Sequence, residues 1–117
     1  MTQNELNEIL IAHKAWFEGK PEGHKADLRG VNLWRADLRE ADLRVANLRG
    51  ANLDYSCWPL WCGSLDVKVD ARIAAQLAYH FCRLDCDDPD YIAARNAILD
   101  FANTFHRVKE CGKLIKK

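Results

Sequence analysis

A chain of 117 residues, 49% of them apolar, has enough material for one modest core and not for two, so residues 1–117 are expected to form a single domain. Seventeen basic residues balance 17 acidic ones, which argues against bulk attraction to nucleic acid or to an anionic membrane. No apolar run is long enough to span a bilayer, Met1–Leu10 lacks the pattern of a secretory signal, and the five cysteines are an odd number, so reduced thiols in a cytoplasmic setting are expected.

The first element is a helix, roughly Asn4 to Glu18, within a capping segment 1–20. Thr2 and Glu5 have capping-box spacing. Leu6, Ile9, Leu10, His13, Trp16 and Phe17 recur at three and four residues and predict one apolar face. Gly19 and Pro21 end the helix.

Six five-residue units follow, from Ala26-Asp27-Leu28-Arg29-Gly30 to Ala51-Asn52-Leu53-Asp54-Tyr55. Small apolar, then Asp or Asn, then Leu arises by chance in a given register with odds on the order of one in a thousand. A period of five excludes an α-helix, because a 3.6-residue turn would scatter it around the cylinder. Apolar-polar-apolar is strand alternation, and the next two positions suit a bend. Each unit is then one short side of a coil, with positions one and three inward. One coil cannot bury its own apolar face, so coils must stack.

The block resembles the pentapeptide-repeat family, whose pattern is Ala-Asp/Asn-Leu-x-x. That resemblance covers about 30 of the 117 residues. It implies a mainly β solenoid, a short right-handed quadrilateral β-helix in which four units close one coil. Leu28 would then stack near Leu48 and Leu33 near Leu53. Degenerate units at Ser56–Leu60 and Trp61–Leu65 extend the expected solenoid to 26–65. So small a solenoid needs its ends covered. The N-terminal helix and a C-terminal helical hairpin over 70–112 are the expected caps. This layout, with a Trp-Pro-Leu-Trp-Cys-Gly-Ser segment after the repeats, also resembles short phage and prophage proteins.

In the hairpin, Asp70 is the expected cap of a helix with Ile73, Leu77, His80 and Leu84 on one stripe. Asp88-Pro89 opens a second helix with Ile98, Phe101, Phe105 and Val108 on its stripe, ending at Gly112. A basic tail follows, in which Leu114 and Ile115 are available to a homodimer interface.

Some longer members of the family mimic DNA with an acidic solenoid. Here Asp27, Asp37, Glu40, Asp42 and Asp54 are matched by Arg29, Arg35, Arg39, Arg44 and Arg49, so the block is neutral. The arginines offer paired donors for phosphate or carboxylate, but their places around the coil favour neutralising the neighbouring Asp side chains.

Trp34 stands in an outward repeat position, beside Arg35 and one coil below Tyr55. With Trp58 and Trp61, these are the expected partner-binding residues, since Trp, Tyr and Arg dominate binding hot spots. For Trp58 and Trp61 the favoured reading is a plug at the end of the solenoid against the hairpin, which leaves Trp34 as the better binding candidate. Cys62, His80, His106 and Cys111 offer two sulfurs and two imidazoles, a donor set suited to a structural zinc. No nucleophile has a partner at motif spacing and no Gly-rich phosphate loop occurs, so no catalytic residue is expected. The sequence therefore predicts a non-enzymatic binding or inhibitory module acting on a protein partner, with a phage protein aimed at a host protein as its setting. The alternative is a nucleic-acid-binding or DNA-mimic protein.

Overall fold

The computed structural model describes all residues 1–117. The chain divides into two compact units, Met1–Asp70 and Ala71–Lys117, in place of the single domain expected over 1–117. No helix is long and apolar enough to cross a membrane.

The first unit begins with α1, Gln3–Phe17. Its capping box forms as the sequence predicts: the Thr2 hydroxyl accepts the Glu5 N–H at 3.1 Å, and Glu5 Oε1 accepts the Thr2 N–H at 3.3 Å. Of the expected apolar face only Leu6 and His13 are buried, while Trp16 and Phe17 remain exposed.

The repeats form the coil. Parallel bridges join Asp27 to Asn47, Asn32 to Asn52 and Asp37 to Cys57, each pair 20 residues apart, so four units close one turn. The later residue of each bridge pairs its N–H and C=O with the residues flanking its partner in the preceding coil, as where Leu28 N–H meets the Asn47 carbonyl at 2.8 Å and Asn47 N–H meets that of Ala26 at 3.2 Å. The expected mainly β content is not realised as strands. Each side carries one bridging residue before the next turn begins, which leaves isolated bridges and no ladder.

Every turn closes on the same hydrogen bond, and five of the six share one backbone geometry. The carbonyl of the position-three Leu accepts the N–H of the next unit's first residue, at 2.9 to 3.2 Å across the six units. Gly30, Arg35, Val45, Gly50 and Tyr55, all in fifth position, have positive φ. That is the geometry of a type II turn. Inside, all six leucines and five first-position alanines are buried, so each Leu contributes about 1.5–3 kcal/mol of hydrophobic stabilisation.

The register shifts by one residue after Cys57. Leu38 N–H pairs with the Cys57 carbonyl, but Leu43 N–H pairs with that of Gly63, six residues on, and Asn47 bridges Lys68, 21 residues away. The extra residue is absorbed around buried Pro59 and the 3₁₀ turn Cys62–Ser64. The degenerate unit expected at Trp61–Leu65 therefore lies one residue later, and pairing continues to Lys68 instead of ending at 65.

In the second unit α2 (Ala71–Cys82) packs on α3 (Pro89–Ala102), and the short α4 (Val108–Cys111) follows. Asp88 caps α3 through Oδ1, which accepts the Asp90 and Tyr91 N–H groups, and Pro89 fills the first turn. The expected stripes are displaced. Leu77, Leu84, Ile98 and Phe101 are exposed, and the core is Tyr79, Cys82, Ala102 and Phe105. Both candidate stripes on α2 have helical spacing, and the one richer in small residues (Ala75, Cys82) faces inward. The expected second helix breaks at Ala102, so α4 is separate from it.

Arg95 is buried at 3% exposure. It donates to the carbonyls of Cys82, at the end of α2, and of Ile115. Asn103 grips the backbone N–H and C=O of Leu114, and Asn96 grips those of Lys117. Two helix turns rise about 10.5 Å and three extended residues span about 10 Å, so Asn side chains seven apart match backbone groups three apart. Leu114 and Ile115, expected to be available to a dimer, lie in this pinned segment. Leu114 is half-buried against the core and Ile115 points outward.

Candidate interaction surface

Trp34, Arg35 and Tyr55 make an exposed corner of the repeats. Asn32 Oδ1 accepts the Trp34 N–H at 3.2 Å, which fixes the start of the turn. Arg35 and Tyr55 occupy the same corner in successive coils, joined where the Arg35 N–H meets the Asp54 carbonyl at 3.2 Å. Both sit at φ near +60°, a conformation that turns their side chains outward. The Trp34 and Tyr55 rings meet edge to face with centroids 6.1 Å apart, and the Arg35 guanidinium lies 4.5 Å from the centre of the Trp34 ring. Trp34 is 49% exposed and Tyr55 64% exposed. A shallow groove of about 150 Å³ runs past Trp34 and Arg35, with Met1, Thr2 and Leu6 on its other wall.

Trp61 belongs elsewhere. Its indole N–H donates to the Ala41 carbonyl at 3.1 Å, and the Arg44 guanidinium lies 5.9 Å from its ring and 4.0 Å from that of Phe17. A wider groove of about 640 Å³ separates α1 from this side, lined among others by Ile11, Lys14, Arg39 and Trp61. Trp58 is half-buried and makes no ring contact with either group. The five residues expected as one partner-binding set therefore divide into the Trp34–Arg35–Tyr55 corner, the Trp61–Arg44–Phe17 group and an isolated Trp58.

Three of the repeat arginines are tied down. Arg29, Arg39 and Arg44 each fork onto the Asp two residues earlier, through Nε and one terminal nitrogen at 2.6 to 2.9 Å. The same Asp accepts the arginine's backbone N–H. The Arg39 guanidinium, then its backbone N–H, lowers the Asp37 carboxyl to about 2, and Asp27 and Asp42 are lowered in the same way by Arg29 and Arg44. Asp42 is the most enclosed of the three, at 6% exposure. These guanidiniums are committed within their own units, as the neutralising reading expects.

The zinc set does not assemble. No group of three or more His, Cys, Asp or Glu side chains is placed to hold a metal ion. Cys62 lies exposed in the 3₁₀ turn of the first unit, and Cys111 is exposed on α4 of the second. His80 and His106 are each turned edge-on to Phe105, so their rings serve packing. Four of the five cysteines are exposed and only Cys82 is buried. Burial pushes the Cys82 thiol above its ordinary pKa and away from thiolate reactivity.

Sequence reasoning singles out neither Gln3 nor the role of His13. Gln3 Oε1 accepts the Asp37 N–H at 3.0 Å while its Nε2 donates to the Asp37 carbonyl at 3.2 Å. His13, fully buried, takes the Ala26 N–H on Nδ1 at 2.9 Å, so its Nε2 carries the proton and donates to the Arg44 carbonyl at 2.7 Å. Through these two residues α1 satisfies backbone groups at the open edge of the first coil.

Compared with known proteins, residues 25–57 match the family described as Pentapeptide repeats. No curated protein and no solved structure matches the chain.

Proposed function

We propose that the repeat unit is a non-enzymatic protein-binding module, inhibitory in its effect, that engages its partner through Trp34, Arg35 and Tyr55. One observation carries this reading: two large aromatic side chains and an arginine gather at one corner of successive coils, where the backbone fixes their direction, and Trp34 and Tyr55 stay 49% and 64% exposed. Such a group supplies apolar area and a guanidinium with little ordering cost on binding. The resemblance of the layout to short phage and prophage proteins supports a host protein as the partner.

The nucleic-acid and DNA-mimic readings have less behind them. The block carries no net charge, and three arginines that could face phosphates are forked onto their own Asp side chains. The test is affinity capture from a bacterial lysate with the wild-type chain and with the Trp34→Ala/Tyr55→Ala double variant. The proposal expects a protein held by the first and lost by the second, with both chains unfolding at the same temperature. Equal capture by both would overturn it.

A further inference from the structure

Asp37 and Asp42 hold the second position of successive units on the first coil, and they meet α1 differently. The Gln3 carboxamide answers both backbone groups of Asp37, at 3.0 and 3.2 Å. Asp42 has the same two groups and no partner for either within the chain. Its flanking groups are used toward the following coil. The Leu43 N–H meets the Gly63 carbonyl at 2.7 Å, and the Ala41 carbonyl takes the Trp61 indole N–H at 3.1 Å. Backbone groups alternate in direction along an extended segment, so the Asp42 N–H and C=O point the opposite way, as those of Asp37 do toward Gln3.

Burial sets Asp42 apart from its neighbours. Asp27, Asn32 and Asp37 are exposed, so water reaches their edge groups, but Asp42 is 6% exposed. A buried amide and carbonyl without partners cost stability, and folded chains rarely leave them so. The Asp42 carboxylate cannot turn back to help, because it is forked by Arg44 at 2.6 and 2.9 Å. Asp42 lines the groove of about 640 Å³ beside α1, together with Leu10, Ile11 and Trp61.

We infer that this groove binds a primary carboxamide at Asp42. The ligand's C=O accepts the Asp42 N–H and its NH₂ donates to the Asp42 C=O, which is the pairing Gln3 makes one unit earlier. An added strand would gain no more, because each side of the coil carries one bridging residue before it turns. A carboxylate lacks the donor and would face Asp37, Glu40 and Asp42 against Lys14 and Arg39. An ammonium lacks the acceptor. In the same groove Ile11 is 71% exposed and Trp61 47% exposed, an apolar wall for the body of the ligand. The site stands apart from the Trp34 corner and does not depend on it.

The test is a nuclear magnetic resonance titration with benzamide in one arm and N-acetylglutamine N-methylamide in the other. N,N-dimethylbenzamide, which keeps the carbonyl but has no N–H, is the control. Saturable shifts are expected at the Asp42 N–H and the Trp61 indole. The control should bind about ten-fold more weakly or worse, as loss of a hydrogen bond to a buried carbonyl does. Ile11→Ala changes an exposed side chain and should keep the thermal midpoint while weakening benzamide about three-fold. The Trp34→Ala/Tyr55→Ala double variant should bind as the wild type does. Tighter binding of benzamide identifies a free carboxamide with an apolar body, and binding of the glutamine derivative at least as tight identifies a glutamine side chain. No saturable shift in either arm, equal binding of the control, or unchanged affinity in Ile11→Ala would overturn the site.

Discussion

The side chain of Gln3 pairs with the backbone of Asp37 as a neighbouring coil would, accepting its N–H at 3.0 Å and donating to its C=O at 3.2 Å. The N–H and C=O of Asp37 itself face the helix residue, while its bridge to Cys57 is made by the flanking Ala36 C=O and Leu38 N–H. The other end of the Asp37 column is met by Cys57 through a parallel bridge. A solenoid of little more than two coils has a large share of its backbone at open edges, and α1 supplies the missing groups from side chains.

Removing this substitution should show in stability. Gln3→Ala leaves the exposed Asp37 groups to water and should cost about 0.5–1.5 kcal/mol. His13→Ala is the more severe change, since it strips the Ala26 N–H and the Arg44 carbonyl of their partner inside a buried site. A loss of about 2–4 kcal/mol is expected from the hydrogen bonds and the cavity together. Urea unfolding of both variants checks the order, and a His13→Ala protein as stable as Gln3→Ala would contradict it.

Backbone geometry makes two opposite predictions. Val45 sits at φ 68° in a fifth position, where a β-branched side chain is strained. Val45→Gly should therefore stabilise the chain by about 0.5–1 kcal/mol despite the entropy cost of glycine. A Cβ on Gly63 would stand 2.3 Å from the Ala41 carbonyl oxygen and 2.6 Å from the Trp61 ring. Gly63→Ala must push apart the coil contact between Leu43 and Gly63, and should destabilise by about 2 kcal/mol or more. Thermal unfolding measures both shifts.

Acid should loosen the repeats. The Asp37 carboxyl titrates at about 2 in the folded chain against 3.8 for a free Asp, and Asp27 and Asp42 are lowered as well. A lowered folded pKa means that the unfolded chain takes up protons first, so stability present above the free value is lost as pH falls from near 4 through about 2. Asp37→Asn and Asp42→Asn should flatten that fall in a series of unfolding curves between those limits. An unchanged slope would show that the forks contribute nothing to it.

Much of the first unit was legible because its period is unmistakable. The four-unit coil, the inward leucines, the capping box at Thr2 and Glu5, and the meeting of Trp34, Arg35 and Tyr55 all follow from position within a repeat. The one-residue shift after Cys57 was not legible, because it arises where Pro59 and Gly63 interrupt the pattern and the close approach of Ala41 to Gly63 is a tertiary contact. Helix faces in the second unit were ambiguous. On α2 two stripes have equal spacing, and packing against α3 decides between them in favour of Tyr79 and Cys82. Arg95 and Gln3 gave no signal, since a polar residue on a helix reads as solvated until its carbonyl or amide partner is known. The zinc set failed for a related reason: spacing along the chain supplied donors, and folding turned His80 and His106 toward Phe105.

The central claim is that the Trp34 corner, and not the row of repeat arginines, carries binding. The measurement is the dissociation constant of the captured partner for Trp34→Ala and for Arg39→Gln, side by side with the wild type. Trp34→Ala should weaken binding by about 30-fold or more, the scale of a hot-spot residue. Arg39→Gln should stay within about two-fold, as a surface ion pair contributes little. The reverse order, with Arg39→Gln the damaging change and Trp34→Ala neutral, would contradict the account.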